Sequence, residues 1–145
     1  MKVVIQRVTS ASVLVDERVV GSILSGYFLL LGISTQDKPE TAIKLAEKVS
    51  KIRLMSDSYK KMNLDLKSAE GECLVVSQFT LNSDTSGGNR PSFVSAAKSE
   101  QARPLYELFI KTIKDFGIKV QTGEFGSYMN LDIKLDGPVT IVLEQ

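Results

Sequence analysis

The run Ser77-Gln78-Phe79-Thr80-Leu81 sets three hydrogen-bonding side chains directly after the apolar stretch Leu74-Val75-Val76. A strand leaving a core in this way delivers two hydroxyls and an amide to its exit, where layered folds commonly present ligand-facing groups. A strand that merely ends in polar residues explains the same pattern, so this run alone leaves both readings open. The chain has no histidine, which removes Ser-His and Cys-His nucleophilic pairs and takes away the commonest ligand of a transition metal. Thr80 could attack a carbonyl only with a nearby base, and its sequence neighbours supply none. The carboxylates Asp65, Asp84, Glu124 and Asp132 are scattered, with no spacing that marks acid-base or metal chemistry.

Two further segments carry possible chemistry. Gly87-Gly88-Asn89-Arg90-Pro91, within 82–93, combines an unobstructed backbone with a guanidinium fork suited to phosphate or ribose, but a surface turn has the same composition. It has neither a Walker ending nor a G-x-G-x-x-G fingerprint, so nothing supports a nucleotide cofactor. Asp136-Gly137-Pro138-Val139-Thr140 reads as a hairpin turn, although Gly-Pro can also offer bare backbone to a ligand.

These segments need a scaffold, and 145 residues with 43% hydrophobic and 24% charged content suit one globular domain over 1–145. Net charge is +1, too little to grip a long duplex, though Lys60, Lys61, Lys98, Arg103, Lys111, Lys114 and Lys119 could form a local patch or simply be solvated faces. Cys73 is the only cysteine and sits among strand-like apolar neighbours, so it is expected to be a buried structural thiol. The longest apolar run, Tyr27 to Ile33, falls far short of the ~20 residues that span a bilayer, and no signal-peptide succession opens the chain; the expectation is a cytoplasmic protein without membrane association.

The alternation of Val3, Ile5 and Arg7 predicts a strand, resumed after a short break at Val13 and Val15. Asp16-Glu17 reads as a hairpin turn, 18–24 as the return strand, Ser25-Gly26 as another turn and 27–33 as a fourth strand. Helical spacing predicts a first helix from Pro39 to about Leu54 and a second from Ser99 to Phe116, stopped by Gly117. Further strands are expected over 72–81, 118–124, 129–135 and 139–143, the last two joined around Asp136-Gly137-Pro138. The fold class expected is mixed α/β, rich in antiparallel strands, with helices covering one outer face of stacked sheets.

Taken together, Ser77-Gln78-Phe79-Thr80-Leu81, Asn89-Arg90-Pro91-Ser92-Phe93 and Gly137-Pro138-Val139-Thr140 closely resemble the D-aminoacyl-tRNA deacylase family. The opening Val4-Ile5-Gln6-Arg7-Val8 and the late Gly123-Glu124-Phe125-Gly126 with Met129 extend the resemblance over essentially the whole chain. It implies a three-layer β/β/α homodimer with no metal or nucleotide cofactor. The implied activity is chiral proofreading in translation: hydrolysis of the ester of D-aminoacyl-tRNA, and of glycyl-tRNA mischarged on a non-cognate tRNA, with L-aminoacyl-tRNA rejected. Ser77, Gln78, Phe79 and Thr80 would line the pocket at the aminoacyl adenosine, with Thr80 the implied catalytic group and Met129 a substrate contact. Gly137-Pro138, with a cis peptide, would reach into the partner subunit's pocket and exclude L-amino acids, held in place by Arg7. The sequence departs from the commonest family form at Lys134-Leu135-Asp136. Two alternatives remain: editing of another aminoacyl-tRNA, and RNA-end binding without turnover.

Overall fold

A computed structural model describes residues 1–145. Its first element, β1 (Lys2–Val15), is one strand of 14 residues and not two separated by a break. Val3 and Ile5 are buried in one core and Val13 in another, because register shifts against the last strand between Gln6 and Ser10 move the buried positions to the other face of the strand, which is why the sequence reads as interrupted there. Asp16 and Glu17 take φ of 46° and 63°, the left-handed geometry of a tight hairpin turn, and β2 (Arg18–Ile23) returns along β1. At Ser25-Gly26 the expected reversal is absent. Ile23 pairs with Ala11 and Gly26 with Val8 on the same edge of β1, so β3 (Gly26–Gly32) continues the direction of β2 after a bend.

Helix α1 (Pro39–Lys51) ends earlier than the periodicity suggested, and Ile52 to Leu54 run on as extended chain or coil towards the short β4 (Met55–Ser56) and β5 (Met62–Leu64). The central strand β6 (Glu72–Ser77) runs parallel to β3, stops at Ser77, and gives way to a 3₁₀ turn over Phe79–Asn82. The expected strand to Leu81 is thus cut short where polar side chains begin. Helix α2 (Ser99–Asp115) leads to β7 (Lys119–Thr122), which lies parallel beside β6.

The largest departure concerns the last strand. β8 (Asn130–Glu144) is a single strand of 15 residues, antiparallel to β1 along its free edge, and not two strands joined by a hairpin. Leu135 pairs with Val8 and Thr140 with Gln6, so Asp136-Gly137-Pro138-Val139 form a bulge opposite Arg7. Gly and Pro signal both turns and bulges, and only the register against β1 separates the two.

The sheet is bent sharply enough for β2 to lie over β7: a Cβ on Gly21 would run into the Thr122 carbonyl oxygen. Val8, Ala11, Val13, Phe28, Leu74 and Val76 form a core inside the fold of this sheet. Its other face packs on α1 and α2 through a larger core that includes Ile5, Leu29, Leu45, Val75, Phe109 and Ile113. The arrangement is mixed α/β with two α-helices, as the sequence suggests. Cys73 is fully buried, and burial pushes its thiol well above the usual range, which fits a structural role. Burial likewise pushes the Tyr27 phenol up to about 12. Its hydroxyl donates to the Ile52 carbonyl at 3.2 Å and accepts from the Leu54 N–H at 3.2 Å, so it fixes the chain that leaves α1.

Candidate functional site

At the end of β3 and β6 that lies beside the 3₁₀ turn, the structure opens into a cavity of about 650 Å³. The Gln78 N–H donates to Leu31 at 2.8 Å, carrying the β3–β6 pairing to the cavity floor. Behind it, the Tyr106 hydroxyl of α2 donates to the Val75 carbonyl at 2.8 Å, so the helix layer and the central strand are locked together where rigidity matters most. Leu31, Ile33 and Val76 give an apolar floor, Ser77, Gln78 and Ser127 add polar groups, and Lys98 is the one charged residue of the lining. Mostly apolar walls with a few directed polar groups describe an organic ligand's site. Phe79 and Phe93, both in the lining, meet edge to face with ring centroids 5.1 Å apart, and Phe79 remains 57% exposed, which leaves ring surface free for stacking.

Of the residues singled out from the sequence, Ser77, Gln78, Phe79 and Met129 come together in this cavity. Thr80 lies just outside the lining, on the 3₁₀ turn, and is exposed. Its hydroxyl accepts a short hydrogen bond from Gln78 Nε2 and so keeps its own proton free to donate. No carboxylate, lysine or other base is hydrogen-bonded to it.

Arg7, Gly137 and Pro138 do not line the cavity. Arg7 pairs with Tyr27 on β3 while Ser77 pairs with Leu31, a separation of four residues, or roughly 13 Å along the strand. The Arg7 guanidinium is nearly buried and ties β1 to two other stretches of chain, 54–56 and Asp136. Its Nη1 donates to the Leu54 carbonyl at 2.9 Å and to the Ser56 hydroxyl at 3.2 Å, and its Nε lies 2.8 Å from Asp136 Oδ2. The Nε contact is an ion pair without hydrogen-bond alignment. The unusual Lys134-Leu135-Asp136 stretch therefore still delivers a carboxylate to Arg7. Gly137 beside it has φ of +118°, and the Gly137-Pro138 peptide is cis.

Sequence reasoning missed Tyr128, Leu131 and the 96–99 segment as parts of the cavity wall. Lys98-Ser99 at the start of a helix was a local cue for the last of these; Leu131 gave none, because it arrives by the long-range pairing of β8 with β1, and Tyr128 lies in the irregular chain just before that strand. Residues 82–93 do form an ordered loop, closed by reciprocal backbone hydrogen bonds between Asp84 and Ser92 at 2.8 Å. The Ser86 N–H holds the Asp84 carboxyl below the usual range, and the loop delivers Phe93 to the cavity, whereas Arg90 stays exposed. No cluster of metal-ligating side chains is present, and no helix is long and apolar enough to cross a membrane.

Comparison with known proteins matches residues 4–144 to the family described as D-Tyr-tRNA(Tyr) deacylase. A D-aminoacyl-tRNA deacylase of Clostridium botulinum (strain Alaska E43 / Type E3) is 47% identical over 99% of this chain and 97% of its own length. One from Limosilactobacillus reuteri (strain DSM 20016) is 46% identical over the full length of both. Among solved structures, the c-Myc DNA Unwinding Element Binding Protein superposes with a TM-score of 0.93 at 37% identity, covering 100% of this chain and 99% of its own. A probable eukaryotic D-amino acid tRNA deacylase superposes at 0.83 with 17% identity, covering 98% and 97%, which shows a shared fold.

Proposed function

The chain belongs to the D-Tyr-tRNA(Tyr) deacylase family, and from that premise we propose that it hydrolyses the ester of D-aminoacyl-tRNA, releases the free D-amino acid and the tRNA, and rejects the L-aminoacyl ester. Glycyl-tRNA mischarged on a non-cognate tRNA passes the same filter, since glycine has no side chain to exclude. The protein acts in the cytoplasm as a single deacylase domain over 1–145, a β/β/α homodimer, without metal or nucleotide cofactor.

The observation that carries this reading is the position of Gly137-Pro138. Arg7 holds the pair as a bulge on the open edge of the sheet, away from the cavity of its own chain. On the same edge strand, Leu131, Leu135 and Val142 are exposed, an apolar surface on an unpaired edge of the kind that association covers. A second copy seated there brings the Gly137-Pro138 backbone of one subunit to the Ser77-to-Thr80 site of the other. The DNA binding that a structural relative's name states finds no support here in a net charge of +1.

Within the site, Phe79 offers its free ring to the terminal adenine, and Ser77, Gln78 and Met129 bound the aminoacyl group. Thr80 and main-chain N–H groups near Phe79 orient the ester and stabilise the oxyanion. Water adds to the carbonyl carbon, the bond to the ribose oxygen breaks, and the proton lost by water ends on that oxygen, with the neighbouring ribose hydroxyl assisting. An activated ester needs little more than positioning.

Thr80→Ala should slow hydrolysis of D-aminoacyl-tRNA by roughly 10²-fold or more, the effect of removing one oxyanion donor, while Thr80→Ser retains most of the rate. Rapid quenching during turnover, followed by mass analysis, is expected to find no acyl group on Thr80. An acyl-Thr80 intermediate would establish nucleophilic catalysis instead.

A further inference from the structure

The segment between β4 and β5 packs little of its own side-chain surface, yet its backbone is held in place. The Tyr59 and Lys61 N–H groups donate to Asp57 Oδ1 at 2.9 and 3.0 Å, and the Lys60 N–H to the Asp57 carbonyl at 3.0 Å. The Asp57 N–H returns to the Lys61 carbonyl at 2.8 Å. These bonds support Lys60 in a left-handed conformation with φ of +61°. The tip they build presents Tyr59, 82% exposed, together with the exposed side chains of Lys60 and Lys61.

Over 53–67 four cations face two carboxylates, and both carboxylates are turned onto backbone N–H groups, Asp57 as described and Asp65 onto the Ser68 N–H at 2.7 Å. An aromatic ring flanked by two unpaired lysines matches a base with its adjoining phosphates. The stem of the tip is tied to the filter motif, because Leu54 and Ser56 are the residues that Arg7 grips together with Asp136. The tip therefore stands at the end of the molecule that carries Gly137-Pro138, not at the end that carries the chain's own cavity.

We propose that Tyr59, Lys60 and Lys61 of one subunit hold the RNA strand of a tRNA whose charged 3′ end occupies the cavity of the partner subunit; this rests on the deacylase reading above. Each subunit then contributes both its chiral filter and an RNA grip to the site of the other.

The test compares wild type with the Tyr59→Ala/Lys60→Ala/Lys61→Ala variant on two substrates, D-aminoacyl-tRNA and D-aminoacyl-adenosine. The variant is expected to raise KM for the tRNA at least tenfold more than KM for the adenosine ester. The slope of log KM for the tRNA against log salt should be shallower in the variant by about 2, one for each lost phosphate contact. Equal KM values for variant and wild type on the tRNA would overturn the proposal. So would parallel losses on both substrates, which would mean that the tip acts only through Arg7 and the filter. Failure of the wild type on both substrates would remove the deacylase reading itself, and the RNA grip with it.

Discussion

Gly137→Ala is expected to cost about 10²-fold in kcat/KM for D-aminoacyl-tRNA and to narrow the preference for D- over L-substrates by at least tenfold. A Cβ at this position would stand 2.8 Å from Val139 Cγ2 and 2.9 Å from the Val139 N, and the φ of +118° is one that side-chain-bearing residues rarely adopt. The backbone must shift, and a displacement of the order of 1 Å at a positioned group costs roughly that factor in rate. The bulge lies at an exposed edge, so the fold itself should tolerate the change with a small shift in its denaturation midpoint. Single-turnover hydrolysis of matched D- and L-aminoacyl-tRNA measures both effects. An unaltered D rate with unaltered selectivity would locate the filter elsewhere.

Arg7→Met should impair both stability and function. Removing the guanidinium strands the Leu54 carbonyl, the Ser56 hydroxyl and the Asp136 carboxylate. Hydrogen bonds to a charged group contribute roughly 1.5–3 kcal/mol; Asp136 is 44% exposed and its share is screened, so the total loss should be about 2–3 kcal/mol. Methionine refills the stem's volume but leaves the bulge without its anchor, and the D rate should fall about as far as in Gly137→Ala. Arg7→Lys should not restore it, because one ammonium cannot reproduce a fork that spans Leu54, Ser56 and Asp136. Urea titration and D-aminoacyl-tRNA hydrolysis read the two effects separately. Full activity in Arg7→Lys would reduce the role of Arg7 to its charge.

Ser77, Gln78 and Phe79 could be placed at a cavity because an apolar run that turns polar within one residue describes a strand leaving a core, and β6 does end at Ser77. The two α-helices were legible from their periodicity, with an error of three residues at the end of α1, where Ile52 and Leu54 are apolar for a reason outside the helix: Ile52 packs against the core and Leu54 lies in it. Both misread turns, at Ser25-Gly26 and at Asp136-Gly137-Pro138, share one cause. Composition reports that a backbone departs from regular geometry there, but whether the chain reverses depends on its register with β1, a contact distant in sequence. The gathering of Leu54, Ser56 and Asp136 around Arg7 is likewise a product of folding, as no local pattern links those positions.

A deacylase that separates mirror-image esters by its main chain is tested by the rate at which the purified protein releases amino acid from one tRNA charged in parallel with a D-amino acid, its L-enantiomer and glycine. Rapid release of the D-amino acid and of glycine is expected, with release of the L-enantiomer close to the uncatalysed rate. Comparable rates for the D- and L-esters, or no release of the D-amino acid above background, would contradict it.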